Sequence, residues 1–238
     1  MKKSSRRTGR YAMFLLILSP LMANAQRQRI GSNGLWACYF TNTRLGRRYS
    51  LVTEMEVHTK QWACRWAEQV LDVGVTNRLD EKWRVGTGAA WYRSAQYLDT
   101  FFFKNEWRLW QDAVFSLRSE KLVFSQRLRV EERWLQEMQD GKKLHSYEFV
   151  PRLRYRTEWQ KPLGNGRITP VVGNEFMFNP TYWNSNRFLD QNRTWIGINV
   201  RISSATNIQG HYLKIFQWRA NNTLEDQNVV RLNIVQQF

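Results

Sequence analysis

The sequence predicts an all-β protein: a closed antiparallel transmembrane β-barrel of the outer-membrane type with 10–12 strands. Three observations predict it: long segments in which apolar and polar residues alternate, a basic and apolar leader, and an aromatic residue at the C-terminus. Strands place successive side chains on opposite faces, so alternation separates an apolar face from a polar one. A tilted strand needs about 9–11 residues to cross a bilayer, whereas strands of soluble proteins are commonly about 5–6 residues long.

The leader has the pattern of a cleaved signal peptide. Basic residues precede the apolar stretch 11–18, which is too short for a spanning anchor. Pro20 follows this stretch, and Ala23-Asn24-Ala25 has the small-x-small form of a signal peptidase site. We expect cleavage after Ala25, which makes 1–25 a signal peptide and 26–238 a single outer-membrane barrel domain. A short N-terminal anchor or a buried helix is the alternative interpretation of the leader.

The remaining chain alternates segment after segment. In 147–159, Leu153 and Tyr155 share one parity while Arg152 and Arg154 share the other, which is a strand pattern. No segment shows a convincing amphipathic helix. A soluble sandwich or a lipocalin-like barrel is the alternative fold. The candidate strands are 34–43, 49–58, 65–78, 82–93, 104–116, 121–135, 147–159, 167–178, 190–202, 206–218 and 228–238.

The connections between these strands differ in length. Outer-membrane barrels have short periplasmic turns, longer loops on the other side, and normally an even number of strands. Because the candidates number eleven, we expect either that two strands are merged within 26–78 or that the first segment is outside the wall, which leaves ten or twelve. Short connections are predicted near 44–48, 79–81, 117–120, 162–166 and 203–206. Longer ones are predicted at 94–103, 136–145, 179–189 and 220–227.

Aromatic residues stand near the ends of several strands. Trp83 and Trp91 bracket one apolar row, and Tyr147 and Trp159 bracket another, as in the aromatic girdles at membrane interfaces. The last strand ends in Phe238 on an apolar parity. This terminus resembles the insertion signal that the barrel assembly machinery reads in outer-membrane barrels.

Four segments resemble domain-of-unknown-function family 2490. They are the segments 35–40 (LWACYF), 105–110 (NEWRLW), 127–133 (RLRVEER) and 190–193 (DQNR). The resemblance covers essentially the whole chain after the leader. It implies an exported outer-membrane barrel, and it implies no activity, because the family has none assigned.

Charged residues concentrate on the parity opposite the apolar one. An Arg or Lys that faces lipid at mid-depth costs roughly 2–4 kcal/mol, so these residues are expected to face the lumen. A lumen of 10–12 strands is narrow, and side chains fill much of it. The predicted lumen-lining residues are Arg84, Arg108, Arg127, Arg129, Arg133, Arg152, Arg154, Arg156, Arg193, Glu54, Glu56, Glu106, Glu131, Glu148, Glu158 and Glu175.

Such a lumen is compatible with two roles. Cross-strand Arg–Glu contacts would satisfy buried charge and stiffen the wall, which is a structural role. An excess of arginine over glutamate would instead favour a narrow, porin-like passage that leans toward anions.

A lipid-modifying barrel enzyme of the phospholipase or deacylase type is the alternative function. Such enzymes pair a Ser hydroxyl with a His base and a group that orients it, and the chain offers His58, His145 and His211 for that role. Ser32-Asn33-Gly34 lacks the histidine that the phospholipase motif places two residues before the serine. The sequence therefore assigns no catalytic, cofactor-binding or metal-ligating residue and predicts no cofactor.

The basic charge bears on localisation and partners. The formal net charge is +16, but an exported chain whose basic residues keep to one strand parity is not expected to bind nucleic acid. We expect export by the general secretory route to the outer membrane of a Gram-negative-type envelope. The expected partners are outer-membrane lipid, lipopolysaccharide and the barrel assembly machinery. Cys38 and Cys64 could pair after export or could both be small wall residues.

Deletion of Phe238 should impair insertion, because an outward aromatic at the end of the closing strand anchors it at the membrane interface. Processed protein should then accumulate in the periplasm, degraded or aggregated. Fractionation and immunoblotting of cells that express either form check this expectation. A normal yield in the outer membrane after the deletion would count against a barrel of this kind.

Overall fold

The computed structural model describes residues 28–97, 101–119, 122–185, 187–219 and 223–238. The predicted signal peptide, 1–25, lies outside the described residues. Among the described residues, none forms a helix with the length and hydropathy that a helical membrane span requires. The strands are β1 Gln28–Arg44, β2 Tyr49–Lys60, β3 Arg65–Arg78, β4 Trp83–Tyr97, β5 Phe101–Arg118, β6 Val123–Gln139, β7 Lys142–Phe149, β8 Arg152–Gln160, β9 Ile168–Phe178, β10 Leu189–Arg201, β11 Thr206–Trp218 and β12 Thr223–Gln237.

These strands form one closed sheet. They pair in the order β5-β4-β3-β2-β1-β12-β11-β10-β9-β8-β6, and the pairing of β5 with β6 closes the ring. β7 and β8 pair with successive parts of β6 and together make one wall strand. That strand is interrupted at Pro151 because proline has no N–H to donate to the ladder. The wall therefore has eleven strands.

The odd number of strands determines how the barrel closes. When consecutive strands alternate in direction, the first and last strands of an odd-numbered ring must run parallel, and β1 and β12 do so from Gln28↔Thr223 to Asn42↔Gln237. The expectation of ten or twelve strands is wrong, and the predicted antiparallel barrel has one parallel seam. The region 26–78 contributes three separate wall strands, and a parallel ladder closes the sheet edge as completely as an antiparallel one.

The two rims of the barrel carry different connections. We call the rim with the turn 45–48 and the C-terminal Phe238 the lower rim, and the opposite rim, with the segment 179–188, the upper rim. The predicted short turns all lie on the lower rim. At 80–83, the Asp80 carboxylate accepts the backbone N–H groups of Lys82 and Trp83 at 2.7 Å each. These two hydrogen bonds lower the pKa of Asp80 and hold the turn.

The upper rim differs from the prediction. The segment 179–188 is a longer connection that contains the 3₁₀-helix Pro180–Tyr182. The other predicted long loops are largely strand: β6 and β7 form a hairpin around Asp140 and Gly141, whose φ angles are 49° and 74°. Two positive φ values of this kind are typical of the type I′ turn, whose twist suits a tight hairpin.

The outer face of the wall is apolar. On β3, Leu71, Val73 and Val75 are 40%, 43% and 40% exposed, whereas Val70 and Asp72, on the opposite parity, are buried inside. This alternation repeats around the barrel as the period of two requires. We call the outward residues at mid-height the apolar belt: Met55, Val57, Leu71, Val73, Val75, Leu109, Leu128, Val130, Val172, Ile196, Ile198, Ile208, Leu232 and Ile234.

The apolar part of the interior lies against one side of the wall. There, side chains from β1, β10, β11 and β12 form a compact cluster, with Phe40 packed against it. Its members are Trp36, Cys38, Trp195, Leu213, Ile215 and Val229. The opposite side of the interior, along β5, β6, β8 and β9, is polar and charged. The interior is therefore divided between an apolar side and an ionic side.

Two inward indoles lie flat on glycines of neighbouring strands. A Cβ atom at Gly74 would stand 2.3 Å from the Trp110 ring, and one at Gly88 2.5 Å from it. A Cβ atom at Gly173 would stand 2.2 Å from the Trp195 ring. Glycine at these positions leaves the room in which the two large rings fit inside a narrow barrel.

Replacing Gly173 by alanine should destabilise the barrel by roughly 1–3 kcal/mol, because the added methyl group overpacks the Trp195 ring. Gly210→Ala is the matched control, since the nearest atom to a Cβ there is Leu232 Cδ2 at 4.0 Å. The measurement is the temperature at which the folded band is lost in heat-modifiability gels. Equal temperatures for the two variants would contradict the packing argument.

Candidate functional site, an arginine-lined vestibule

A cavity of about 670 Å³ occupies the upper part of the barrel. Its lining begins at strand ends on the upper rim, with Lys60, Tyr97 and Trp218, and reaches Glu54 and Arg156 in the middle of the wall. We call this cavity the vestibule. A separate cavity of about 200 Å³ lies at the lower rim.

A buried network of arginine and glutamate side chains holds the ionic side of the vestibule together. Glu131 is 1% exposed and accepts from Arg154 at 2.6 Å and from Arg108 at 3.4 Å. Glu175 accepts from Arg154 at 2.8 Å and from Arg127 at 2.6 Å. We call these five residues the arginine–glutamate lattice. Charge-assisted hydrogen bonds of this kind are strong, and each buried charge in the lattice meets an opposite one.

A second ionic contact forms below the lattice. Arg129 donates to Asp112 at 2.8 Å and lies 3.7 Å from Asp72. Trp110 donates its indole N–H to Asp72 at 2.8 Å, and the Arg129 guanidinium stacks on its ring at 4.0 Å from the centroid. The indole is thus fixed on one face by the glycines of β3 and β4 and on the other by a cation.

Two arginines hold the upper connection onto the wall. Arg133 donates to Asn179 at 3.1 Å, and Arg152 donates to Asp190 at 2.5 Å. Tyr182 of the 3₁₀-helix donates its hydroxyl to Glu148 at 3.1 Å. The segment 179–188 therefore forms part of the mouth of the vestibule.

Arginine exceeds carboxylate in this cavity. Arg156 lies directly opposite Arg127 in the register of β6 and β8. Arg193 donates to Gln191 at 2.7 Å and stacks on Trp36 at 5.1 Å. Throughout the described ranges, no carboxylate oxygen lies within the 4.0 Å ion-pair distance of Arg156 or Arg193. These two guanidiniums leave the vestibule wall with a local excess of positive charge.

Three of the predicted lumen-lining residues lie outside the lining of the vestibule. Arg84 lines the lower cavity. Glu131 lies behind Arg108 and Arg154, and Glu158 accepts from Gln160 and Trp195. The predicted residues that line the vestibule are Arg108, Arg127, Arg129, Arg133, Arg152, Arg154, Arg156, Arg193, Glu54, Glu56, Glu106, Glu148 and Glu175.

Sequence reasoning missed the aspartates that neutralise part of this charge. Asp72, Asp112 and Asp190 each pair with an arginine inside the barrel. Asp72 and Asp112 share the inward parity of β3 and β5, so the alternation itself could have identified them. Asp190 stands at the start of β10, where the register is irregular between Leu189 and Gln191. At such an irregularity, the parity of a residue does not predict which face of the sheet it takes.

The histidines and cysteines take distinct places. His58 lies 2.5 Å from Glu56 and 3.2 Å from Glu68. His211 contacts Asn199 at 3.0 Å and Arg231 at 2.8 Å, so these two imidazoles bond to groups other than serine hydroxyls. Both cysteines are free: Cys38 is buried on β1, and Cys64 is exposed in the turn between β2 and β3.

The vestibule and the lower cavity approach each other along β1 and β2. Phe40 lines the vestibule, and Asn42, the next inward position on β1, lines the lower cavity. On β2, Glu54 lines the vestibule and Ser50 the lower cavity, with Val52 between them on the same parity. The barrier between the two cavities is therefore about one side-chain layer thick at this place.

A closed eleven-stranded β-barrel with an ionic interior is the class that these features define. A family model described as protein of unknown function (DUF2490) matches residues 33–227, which run from β1 into β12. The chain therefore belongs to this family, which confirms the resemblance seen in the sequence. No match to the chain was found among curated proteins.

The lattice predicts a difference between two glutamates, Glu131 and Glu148, that were both predicted to line the lumen. Glu131→Gln should destabilise the barrel by about 3–5 kcal/mol, because a buried charge partner of two arginines is lost. Glu148→Gln is the control, since Glu148 is exposed at the mouth. Heat-modifiability gels of both variants measure the effect. If Glu131→Gln loses its folded band at the same temperature as the wild type, the lattice does not stabilise the wall.

Proposed function

We propose that this chain is an outer-membrane barrel that forms a narrow passage leaning toward anions. The observation that carries the proposal is the vestibule, in which Arg156 and Arg193 have no carboxylate partner in the described ranges. Rings of charged side chains select ions of opposite sign in membrane pores. A structural barrel with a closed interior is the alternative outcome of the test below.

The outer face supports placement in a membrane. The apolar belt has exposed members on eight of the eleven wall strands, far beyond the isolated apolar residues of an ordinary soluble surface. Two outward cations lie toward the upper rim: Arg93 stacks on Phe103 at 4.4 Å, and Lys214 pairs with Asp226. One outward carboxylate, Glu132, lies opposite the belt residue Leu109. Long cationic side chains near a membrane interface can keep their charged ends in water. The leader and Phe238 support the same placement from the sequence.

The interior supports a passage that is narrow. The arginine–glutamate lattice and the apolar cluster fill much of the barrel, and the vestibule meets the lower cavity at Phe40. An anion that enters from the upper rim meets Arg193 and then Arg156 and Arg127 deeper in the wall. A small movement of the Phe40 side chain would connect this path to Arg84 at the lower rim. The expected conductance is therefore low, and the expected preference is for anions.

Planar-bilayer recordings of refolded protein test this proposal. In a salt gradient, the wild type should conduct weakly, with a reversal potential of the sign that indicates anion selectivity. Arg156→Glu should shift the reversal potential toward the value expected for cation selectivity. Phe40→Ala should raise the conductance, since it removes the ring between the two cavities. The measurements are the single-channel conductance and the reversal potential.

Arg118→Glu is the matched control because it makes the same charge change at the end of β5, outside both cavities. It should leave the reversal potential at the wild-type value. A folded barrel that conducts nothing, with or without Phe40→Ala, would remove the passage and leave a structural role. An equal shift with Arg156→Glu and Arg118→Glu would show that the vestibule does not select ions.

A further inference from the structure

We propose that Cys38, Glu56 and His58 bind a transition-metal dication, best matched by Zn²⁺, on the vestibule wall. Cys38 stands on β1 directly opposite Glu56 of β2, and His58 follows two positions along the same strand. The Cys38 Sγ atom, a Glu56 carboxylate oxygen and a His58 ring nitrogen all lie within 4.8 Å of one another. Thiolate, imidazole and carboxylate are the ligand types that Zn²⁺ takes in proteins.

The imidazole is oriented as a metal ligand requires. Glu68 lies 3.2 Å from Nδ1, and the ring stacks on Trp36 with centroids 3.8 Å apart. A carboxylate on one ring nitrogen fixes the tautomer and directs the other nitrogen at the metal. That other nitrogen, Nε2, lies 2.5 Å from Glu56. Metal bonds of about 2.0–2.1 Å in a tetrahedral site place such ligand atoms about 3.3 Å apart, so the pair needs to open by less than about 1 Å.

The negative charge of the carboxylates around the site favours a bound cation. Glu54, Glu56 and Glu68 all line the same part of the vestibule, and in the described ranges neither Glu54 nor Glu56 has an arginine or lysine within ion-pair distance. The His58 imidazole contacts both Glu56 and Glu68. Buried carboxylates without a cation are costly, whereas the glutamates of the lattice each meet guanidiniums. A dication would neutralise this acidic side of an otherwise arginine-rich interior.

The ligand set also determines which metal binds and how. The Cys38 thiolate favours Zn²⁺ over Mg²⁺ or Ca²⁺, which prefer oxygen ligands. When the metal–sulfur bond forms, the thiol proton leaves to solvent, and the His58 nitrogen that binds must be unprotonated, so affinity should rise with pH. Glu56 and Glu54 line the vestibule, so a water molecule or the Glu54 carboxylate can take the fourth position. His58 and Cys38 are 4% and 6% exposed, which shields the two softer ligands.

Titration with Co²⁺ of the refolded full-length barrel, kept reduced by a phosphine, tests the site. The wild type should bind a single equivalent with a near-ultraviolet thiolate-to-cobalt charge-transfer band, and Zn²⁺ should abolish the band by competition. Cys38→Ser should lose the band, whereas Cys64→Ser should keep it. The two substitutions are chemically identical, so the comparison isolates the position of the thiol. Absence of the band in the wild type, or its loss in Cys64→Ser alone, would overturn the proposal.

A second comparison tests the orienting carboxylate. Glu68→Gln should weaken Zn²⁺ binding by about 10–100-fold, as substitutions of groups that orient a ligand commonly do. His211→Gln should leave affinity unchanged, because the His211 ring nitrogens contact Asn199 and Arg231 and none of the three ligands. Heat-modifiability establishes that each variant is folded. Unchanged affinity in folded Glu68→Gln would overturn the assigned orientation of His58.

Alkylation gives a readout that does not depend on Cys38→Ser folding. In the Cys64→Ser protein, Cys38 is the remaining thiol, and Zn²⁺ should slow its reaction with a small alkylating reagent. Mg²⁺ should not slow it. No protection by Zn²⁺ would remove Cys38 from the site.

Discussion

The packing of this barrel depends on one constraint: charged side chains inside a closed wall must find partners within the wall. Once the sheet closes, the inward parity of β5, β6, β8 and β9 faces an enclosed interior. Each buried guanidinium then needs a carboxylate, a carbonyl or an aromatic face. Glu131 and Glu175 meet this need by bridging three arginines. The position of these two glutamates therefore determines which arginines of the interior remain without a carboxylate partner.

The distribution of large and small residues then shapes the space that is left. Trp110 and Trp195 fill the interior at mid-height because Gly74, Gly88 and Gly173 leave room for their rings. The same rings divide the interior, so the vestibule ends where the indoles begin. On the β1 and β2 side, Phe40 and Val52 stand between the vestibule and the lower cavity. Packing for stability and the proposed passage thus compete for one narrow interior.

The parallel seam between β1 and β12 has a consequence for the two ends of the wall. β1 starts at the upper rim and β12 ends at the lower rim, so the two edges of the sheet meet with the same direction. The seam brings Trp36 opposite Arg231 and Cys38 opposite Asn233. The seam thereby joins the apolar cluster residues of β1, near one end of the chain, to Val229 of β12, near the other end. It also pairs β1, the strand that carries Cys38, along its second edge.

Much of the fold followed from the period of two, because in a strand the parity of a residue determines its face. The lumen-facing arginines of β6 and β8 and the outward Ile196 and Ile198 were predictable on this basis. The hairpin at Asp140-Gly141 was also encoded, since an Asp-Gly pair between alternating segments is a strong turn signal, although 136–145 was predicted as a longer connection. The eleven candidate strands correspond to the eleven strands of the wall. The assumption that the number of wall strands is even was wrong.

The sequence by itself determined the strands, their two faces, the short turns and the family, because these depend on neighbouring residues and on local patterns. Only the tertiary structure decided which charges meet. Arg127 and Glu175 are 48 positions apart, and Cys38 and His58 belong to different strands, so their contacts depend on strand order and register. Local patterns likewise could not predict closure through a parallel seam. A parallel and an antiparallel neighbour both satisfy the backbone hydrogen bonds of β1. Pairing of distant strands is a property of the whole ring, and the vestibule and the candidate metal site both arise from it.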